Sequence, residues 1–137
     1  MLLATCLNVA VAGCLVIPQR THSVELLDRL AQAHSMLRST PPQIDPGCEA
    51  VGDVQTQLSG EPGLSEVQPT WTLLRSAADA LTAVCGQLRL LALPASSTAA
   101  VRDAQQRWRD GLARELDTAC DQLHAAAASL GRSPPSC

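Results

Sequence analysis

The sequence predicts an all-α protein, a helical bundle, and three observations support this fold class. Apolar residues make up 46% of the chain, they are mostly Leu and Ala, and Phe and Tyr are absent. Leu and Ala are strong helix formers, whereas strands favour aromatic and β-branched residues. Apolar residues also recur three and four positions apart, which is the period of an amphipathic helix. The length of 137 residues is typical of one domain.

Three long helices are predicted along the chain. The first runs from about His22 to Arg38 and ends before Thr40-Pro41-Pro42, because proline cannot continue a helix. The second runs from about Pro69 to Leu93, and Pro94 ends it. The third runs from about Thr98 to Leu130, with Gly131 as its stop. The short link between the second and third helices predicts an antiparallel hairpin.

The second and third helices carry regular apolar stripes, each with one tryptophan. On the second helix the stripe consists of Trp71, Leu74, Ala78, Leu81, Cys85, Leu88 and Ala92. On the third helix it consists of Val101, Ala104, Trp108, Leu112, Leu116, Ala119, Leu123, Ala126 and Leu130. We therefore expect both tryptophans in the core.

A long crossover loop is predicted after the first helix, from about Thr40 to Thr70. This segment is rich in Pro, Gly, Asp and Gln, and we expect at most a helical turn at Ala50–Leu58. Loops of this length are usually functional crossovers or linkers.

The N-terminal segment, residues 1–14, is predicted to be a leader that precedes a single helical bundle domain over residues 15–137. The first 17 residues carry no charge, and the apolar run is too short for a stable membrane span. Ala10-Val11-Ala12 is a small-x-small cleavage pattern, and Val11-Ala12-Gly13-Cys14 fits a bacterial lipoprotein box. No basic residue precedes the run, so a buried N-terminal segment is the alternative. We expect a secreted protein, with a cytoplasmic location as the alternative.

The cysteines outside the leader are four in number. They are Cys48, Cys85, Cys120 and Cys137. In an exported chain an even count predicts disulfides, and three pairings are possible. In the cytosol they would be free, mostly buried thiols.

Charge and motifs predict a protein that is not an enzyme and has no cofactor. The net charge is −3, acidic and basic residues are interspersed, and no basic patch predicts nucleic-acid binding. No nucleophile, phosphate-binding or metalloprotease motif is present. Cys120 and His124 share a helical face, which is zinc-ligand spacing, but a half-buried histidine beside a structural cysteine is favoured, so no metal site is expected. The Arg and Asp residues of the third helix are expected to form surface ion pairs, on a face where a partner protein docks.

Several short motifs resemble the four-helix cytokines, and within them the leptin family. Pro62-Gly63-Leu64 precedes the second helix, and Arg109-Asp110 followed by Leu112 and Cys120 lies in the third. The chain ends Ser-Pro-Pro-Ser-Cys. The second helix also has the family's spacing at Ser76, Asp79, Ala83, Val84, Gln87 and Leu88.

The resemblance implies a secreted hormone-like ligand of a cytokine-class receptor. It implies a disulfide between Cys120 and Cys137, and a receptor face on the first and third helices that includes Asp110. Arg29 and Arg107 join this face as exposed candidates. Only 16 residues separate Cys120 from Cys137, so the family's fourth helix is short or missing.

Two other functions are open from the residues alone. One is an intracellular adaptor, or a subunit of a larger complex, that pairs with a partner helix. The other is a bacterial lipoprotein anchored through Cys14. The fate of the first 14 residues and the redox state of the cysteines distinguish these alternatives.

Overall fold

A computed structural model describes residues 11–60, 69–92 and 98–137, with side chains from residue 22 onward. These residues form four helices and no strand: α1 (Val11–Arg38), α2 (Ile44–Ser59), α3 (Pro69–Leu91) and α4 (Ala99–Ser129). None of these helices combines the length and apolar character of a membrane span. Residues 1–10 of the proposed leader lie outside the described residues, so the division at residue 14 stays a prediction.

Contacts between helices show that neighbours in the chain are antiparallel. Thr70 at the start of α3 bonds to Ser129 at the end of α4, with 2.6 Å between the hydroxyl oxygens. At the other side of α3, Gln55 of α2 donates to Asp79 at 3.2 Å, and Cys48 is joined to Cys85. The α3–α4 pair is therefore the antiparallel hairpin that the sequence predicts.

Helix α1 completes an up-down-up-down bundle. His34 bonds to the Leu116 carbonyl, and Asp28 lies 3.9 Å from Arg132 beyond the end of α4. Helix α1 therefore runs antiparallel to α4, and α1 and α3 also pack against each other across the bundle. The helical cytokines with two long crossovers run up-up-down-down instead, so this topology differs from theirs.

The long crossover loop predicted for residues 40–70 is wrong, because α2 occupies most of it. Pro46 lies in the first turn of α2. N–H groups in the first turn have no acceptor within the helix, so proline costs no helical hydrogen bond there. Gly47 lets α2 approach α1, since a Cβ atom there would be 2.8 Å from Leu37 Cδ2. One face of α2 is buried in the core: Cys48, Val51, Val54 and Leu58. Only residues 39–43 link α1 to α2.

The C-terminal end of α4 has the glycine stop that the sequence predicts. Gly131 has a φ of 67°, and its N–H bonds to the Ala128 carbonyl at 3.0 Å. The Arg132 N–H bonds to the Ala127 carbonyl at 2.9 Å, which completes a Schellman motif. The tail then turns back along α4, and no separate helix lies between Cys120 and Cys137.

The core is built from Leu and Ala around one fully buried tryptophan, Trp71. Its largest aliphatic side chains come from all four helices: Leu26, Leu30, Leu37, Val51, Val54, Leu58, Leu74, Leu81, Val84 and Leu123. The ring of His22 packs against Trp71 with 6.0 Å between centroids. Trp108, in contrast, is 40% exposed, so the prediction of two core tryptophans is wrong for this residue.

The two tryptophans provide a matched test of this packing. Trp71→Ala should lower the free energy of unfolding by about 3–5 kcal/mol, because it leaves a large cavity in the core. Trp108→Ala should lower it by about 1 kcal/mol or less, because the side chain is partly solvated already. Urea unfolding followed by circular dichroism measures both. Equal destabilisation by the two substitutions would contradict the burial of Trp71 and the exposure of Trp108.

Candidate functional site

The N-terminal half of α4 extends beyond the helices that bury its C-terminal half. His34, one turn before the end of α1, bonds to the Leu116 carbonyl at 2.9 Å. Helix α1 therefore ends level with the middle of α4, while α2 lies across the bundle from α4. Within Ala99–Glu115, Gln105 alone is buried. We refer to Ala99–Glu115 as the uncovered half of α4.

The apolar stripe of α4 continues through this uncovered half. Leu116, Ala119 and Leu123 are buried, but Trp108 on the same stripe is 40% exposed. Val101, Ala104 and Leu112 are only partly buried. Gln87 of α3 lies beside Gly111 of α4. Because the two helices are antiparallel, Leu90 is level with Trp108. Leu90 is 45% exposed. These are the two exposed large apolar side chains of the described residues, and they share one end of the bundle.

An apolar cleft opens beside this stripe, between α4, the end of α3 and the start of α2. Its volume is about 370 Å³. The residues that line it are Pro42, Ile44, Leu88, Leu91, Ala92, Arg109 and Leu112. Leu112 is one helical turn after Trp108, so stripe and cleft are continuous. Arg109 supplies the one charged group among the lining residues.

The uncovered half is also locally basic. Between Ala99 and Glu115 the chain has four arginines, two aspartates and one glutamate, a net charge of +1, whereas the whole chain carries −3. The arginines are Arg102, Arg107, Arg109 and Arg114, and all are exposed. Within the described part of the chain none of these four arginines forms an ion pair. Two ion pairs elsewhere join Arg29 to Glu25 and Arg132 to Asp28. The surface ion pairs predicted for the third helix therefore do not form.

The structure separates the residues predicted for a receptor face. Arg107 and Asp110 are exposed on the uncovered half, and Asp110 accepts a hydrogen bond from Gln106 at 3.1 Å. At about 100° per residue, Asp110 lies about 160° around α4 from Trp108. Arg29 lies toward the opposite end of the bundle, roughly 20 Å from Arg107 along the helix axis, and pairs with Glu25. These three residues do not form one patch with the apolar stripe.

Two disulfides hold the bundle. Cys48 and Cys85 join α2 to α3 with 5.8 Å between Cα atoms. Cys120 and Cys137 tie the tail to α4 with 5.9 Å between Cα atoms, and this is the pairing that the resemblance implied. In the loop-entropy account the two bonds stabilise the fold by about 4 and about 3 kcal/mol respectively. The sequence left the pairing of Cys48 and Cys85 open.

A histidine lies against the second disulfide. His124 Nε2 is 3.5 Å from Cys120 Sγ and 3.4 Å from Cys137 Sγ. The same Nε2–H donates to the Pro135 carbonyl at 2.9 Å. The histidine and both cysteine sulfurs lie within 4.8 Å of one another. The sequence predicts that Cys120 and His124 are close, because both lie on one face of a helix. It does not predict that Cys137 joins them, because that depends on how the tail folds back along α4.

His34 is a buried titratable group at the junction of α1 and α4. It is 1% exposed, and its Nε2–H donates to the Leu116 carbonyl. Burial lowers the pKa of His34 below its ordinary value of 6.5, and Arg38 and His124 lower it further. The hydrogen bond to Leu116 and the nearby Asp117 oppose the shift in this pKa without reversing it. His34 is therefore held neutral in the fold, deeper in the core than the sequence indicates.

Comparison of the chain with protein-family models, with curated proteins and with solved structures gives no match. The features that sequence reasoning missed are the cleft and the exposure of Trp108. Both depend on where α1 ends and where α2 begins. The residue pattern of α4 does not indicate the positions of these helix ends.

The lowered pKa of His34 predicts that stability falls on acidification. Below about pH 6.5 the unfolded chain takes up a proton on His34 that the folded chain resists, so the free energy of unfolding decreases as pH falls through this value. This one group contributes at most about 1.4 kcal/mol per pH unit. Urea midpoints from about pH 7.5 to about pH 5.5 measure the effect.

His34→Gln should flatten this pH dependence, because it removes the titrating group and keeps a donor for Leu116. His22→Gln is the matched control, since it leaves His34 in place. An unchanged pH dependence in His34→Gln would show that another group is responsible.

Proposed function

We propose that this chain is an extracellular, disulfide-tied helical ligand that binds a partner protein through the uncovered half of α4. The observation that carries the proposal is the exposed continuation of the apolar stripe at Trp108. An apolar stripe is normally covered, and its exposure beside a cleft is typical of an interaction site. Tryptophan and arginine are also the residues most enriched in the energetic centres of protein interfaces.

The partner surface that fits this site combines an apolar side chain with a carboxylate. The cleft of about 370 Å³ accepts an apolar side chain between Leu91 and Leu112. Arg109 at the cleft, without an ion-pair partner among the described residues, supplies a cation for the carboxylate. The local charge of +1 favours an acidic surface despite the net charge of −3.

The two disulfides support the extracellular part of the proposal. Disulfides persist in oxidising compartments and are rare in the cytosol. The core is Leu- and Ala-rich with a single buried tryptophan, so two covalent ties add substantially to a modest core. The rival functions are the intracellular adaptor, which would have reduced thiols, and the lipoprotein anchored through Cys14.

A cytokine-class receptor, bound through a different surface, is a second form of the proposal. The motifs shared with the helical cytokines support it, as does the Cys120–Cys137 disulfide. It implies a receptor contact through Arg29, Arg107 and Asp110. The up-down-up-down topology differs from that of the cytokines, and the uncovered half of α4 is therefore the better-supported binding surface.

Saturation binding of the labelled full chain to intact cells of the source organism tests the proposal. We expect saturable binding that unlabelled chain displaces, because an extracellular ligand meets its partner at the cell surface. Trp108→Ala should weaken binding by at least about tenfold, since the indole anchors the interface. Arg109→Ala should also weaken it, and its effect should shrink at high salt.

Neighbouring substitutions on other faces of the same helix are the controls. Arg107→Ala removes the same type of side chain from a different face and should weaken binding much less than Arg109→Ala does. If Arg29→Ala, Arg107→Ala and Asp110→Ala weaken binding while Trp108→Ala does not, the cytokine-like receptor face is correct and the proposed surface is wrong. Absence of saturable binding to intact cells would favour the intracellular adaptor.

A further inference from the structure

The cluster of Cys120, His124 and Cys137 has the side chains and the spacing of a zinc site. Cys120 and His124 are four residues apart on α4 and so share a face. The Schellman turn at Gly131 reverses the chain and brings Cys137 to the same face. Two sulfurs and one imidazole nitrogen are ligands that zinc favours, and three protein ligands with one open position is a common zinc arrangement.

The distances match those of a tetrahedral site. With zinc about 2.3 Å from sulfur and about 2.0 Å from nitrogen, a tetrahedral site places sulfur and nitrogen about 3.5 Å apart. His124 Nε2 lies 3.5 Å from Cys120 Sγ and 3.4 Å from Cys137 Sγ. The two sulfurs are bonded to each other in this structure, and a zinc ion requires them to separate to about 3.7 Å. Disulfide and zinc therefore exclude each other.

We propose that this cluster becomes a zinc site when the Cys120–Cys137 disulfide is reduced. A dithiol reductant donates two electrons and two protons, the S–S bond breaks, and the reductant leaves as its own disulfide. Zn²⁺ then binds both sulfurs as thiolates, with release of their two protons, and binds Nε2 of neutral His124. The fourth position is taken by water.

Binding at Nε2 replaces the proton that this nitrogen donates to the Pro135 carbonyl. The ring does not need to move far, because Nε2 already faces both sulfurs. The exposed tail would consequently be tied to α4 in both redox states, by the disulfide in an oxidising compartment and by zinc in a reducing one. This inference does not rest on the proposed partner binding.

Cobalt and zinc titration of the reduced full chain tests the site. The reference protein carries Cys6→Ser and Cys14→Ser, so that Cys48, Cys85, Cys120 and Cys137 are the only thiols left after reduction. After reduction with a phosphine, we expect one Co²⁺ per chain, with tetrahedral d–d bands and thiolate charge-transfer absorption, and displacement by Zn²⁺. The oxidised protein should show none of these bands.

The two cysteine pairs provide the matched variants. Cys48→Ser with Cys85→Ser should keep the bands, whereas Cys120→Ser with Cys137→Ser should abolish them. His124→Asn should weaken zinc binding by at least about tenfold. Circular dichroism checks that each variant is folded. In the reference protein itself, zinc should protect Cys120 and Cys137 from alkylation while Cys48 and Cys85 react, as measured by mass spectrometry.

Three results would overturn the proposal. One is a reduced reference protein that binds no tetrahedral Co²⁺. Another is His124→Asn binding zinc as tightly as the reference protein, which would leave His124 with only its hydrogen bond to Pro135. The third is protection from alkylation at Cys48 and Cys85 instead of at the tail.

Discussion

The end of α1 is the constraint on which the rest of this structure depends. Helix α4 has 31 residues, but α1 reaches it only as far as the contact of His34 with Leu116. Toward its N-terminus from that point, α4 packs only on the end of α3. The start of α2 borders the cleft beside it. The apolar stripe therefore serves two purposes. Its C-terminal half stabilises the bundle, and its N-terminal half forms the surface that we propose binds a partner.

The disulfides and the buried histidine act on the half of the molecule that is packed. Cys48–Cys85 fixes α2 to α3, and Cys120–Cys137 folds the tail against α4 near the end of α1, where Arg38 donates to the Cys137 carbonyl at 2.8 Å. His34 connects α1 to α4 through its hydrogen bond to the Leu116 carbonyl. The uncovered half of α4 has neither a disulfide nor a buried polar contact of this kind with α1. The packed segment of α4 and the segment proposed to bind a partner are therefore different parts of one helix.

The sequence predicts the helical class, the α3–α4 hairpin and the stop at Gly131, because period, proline and glycine are local signals. It fails at α2, where Pro46, Gly47 and Gly52 resemble a loop. Burial of Val51, Val54 and Leu58, together with the bond from Cys48 to α3, outweighs the low helix propensity of the glycines, which costs about 1 kcal/mol each. The spacing of these apolar residues was the signal that could have located the helix.

The candidate site was harder to predict than the fold. A stripe that includes Trp108 looks the same whether or not another helix covers it, so sequence alone assigned this tryptophan to the core. Arg107 and Asp110 were chosen from exposure and resemblance, and both are exposed. Their separation from Trp108 follows from helical geometry once the buried face of α4 is known. The pairing of His124 with Cys137 required the reversed tail.

Hydrogen–deuterium exchange of the free chain tests the central claim most directly, which is that half of α4 is left uncovered. Backbone amides of an unpacked helical segment open locally at low free energy, whereas those in the core open only with the whole fold. We predict that amides within residues 99–115 exchange at least about tenfold faster than those within residues 116–129. Equal protection along the whole of α4 would mean that its N-terminal half is packed, and would contradict the claim that this half is free to bind a partner.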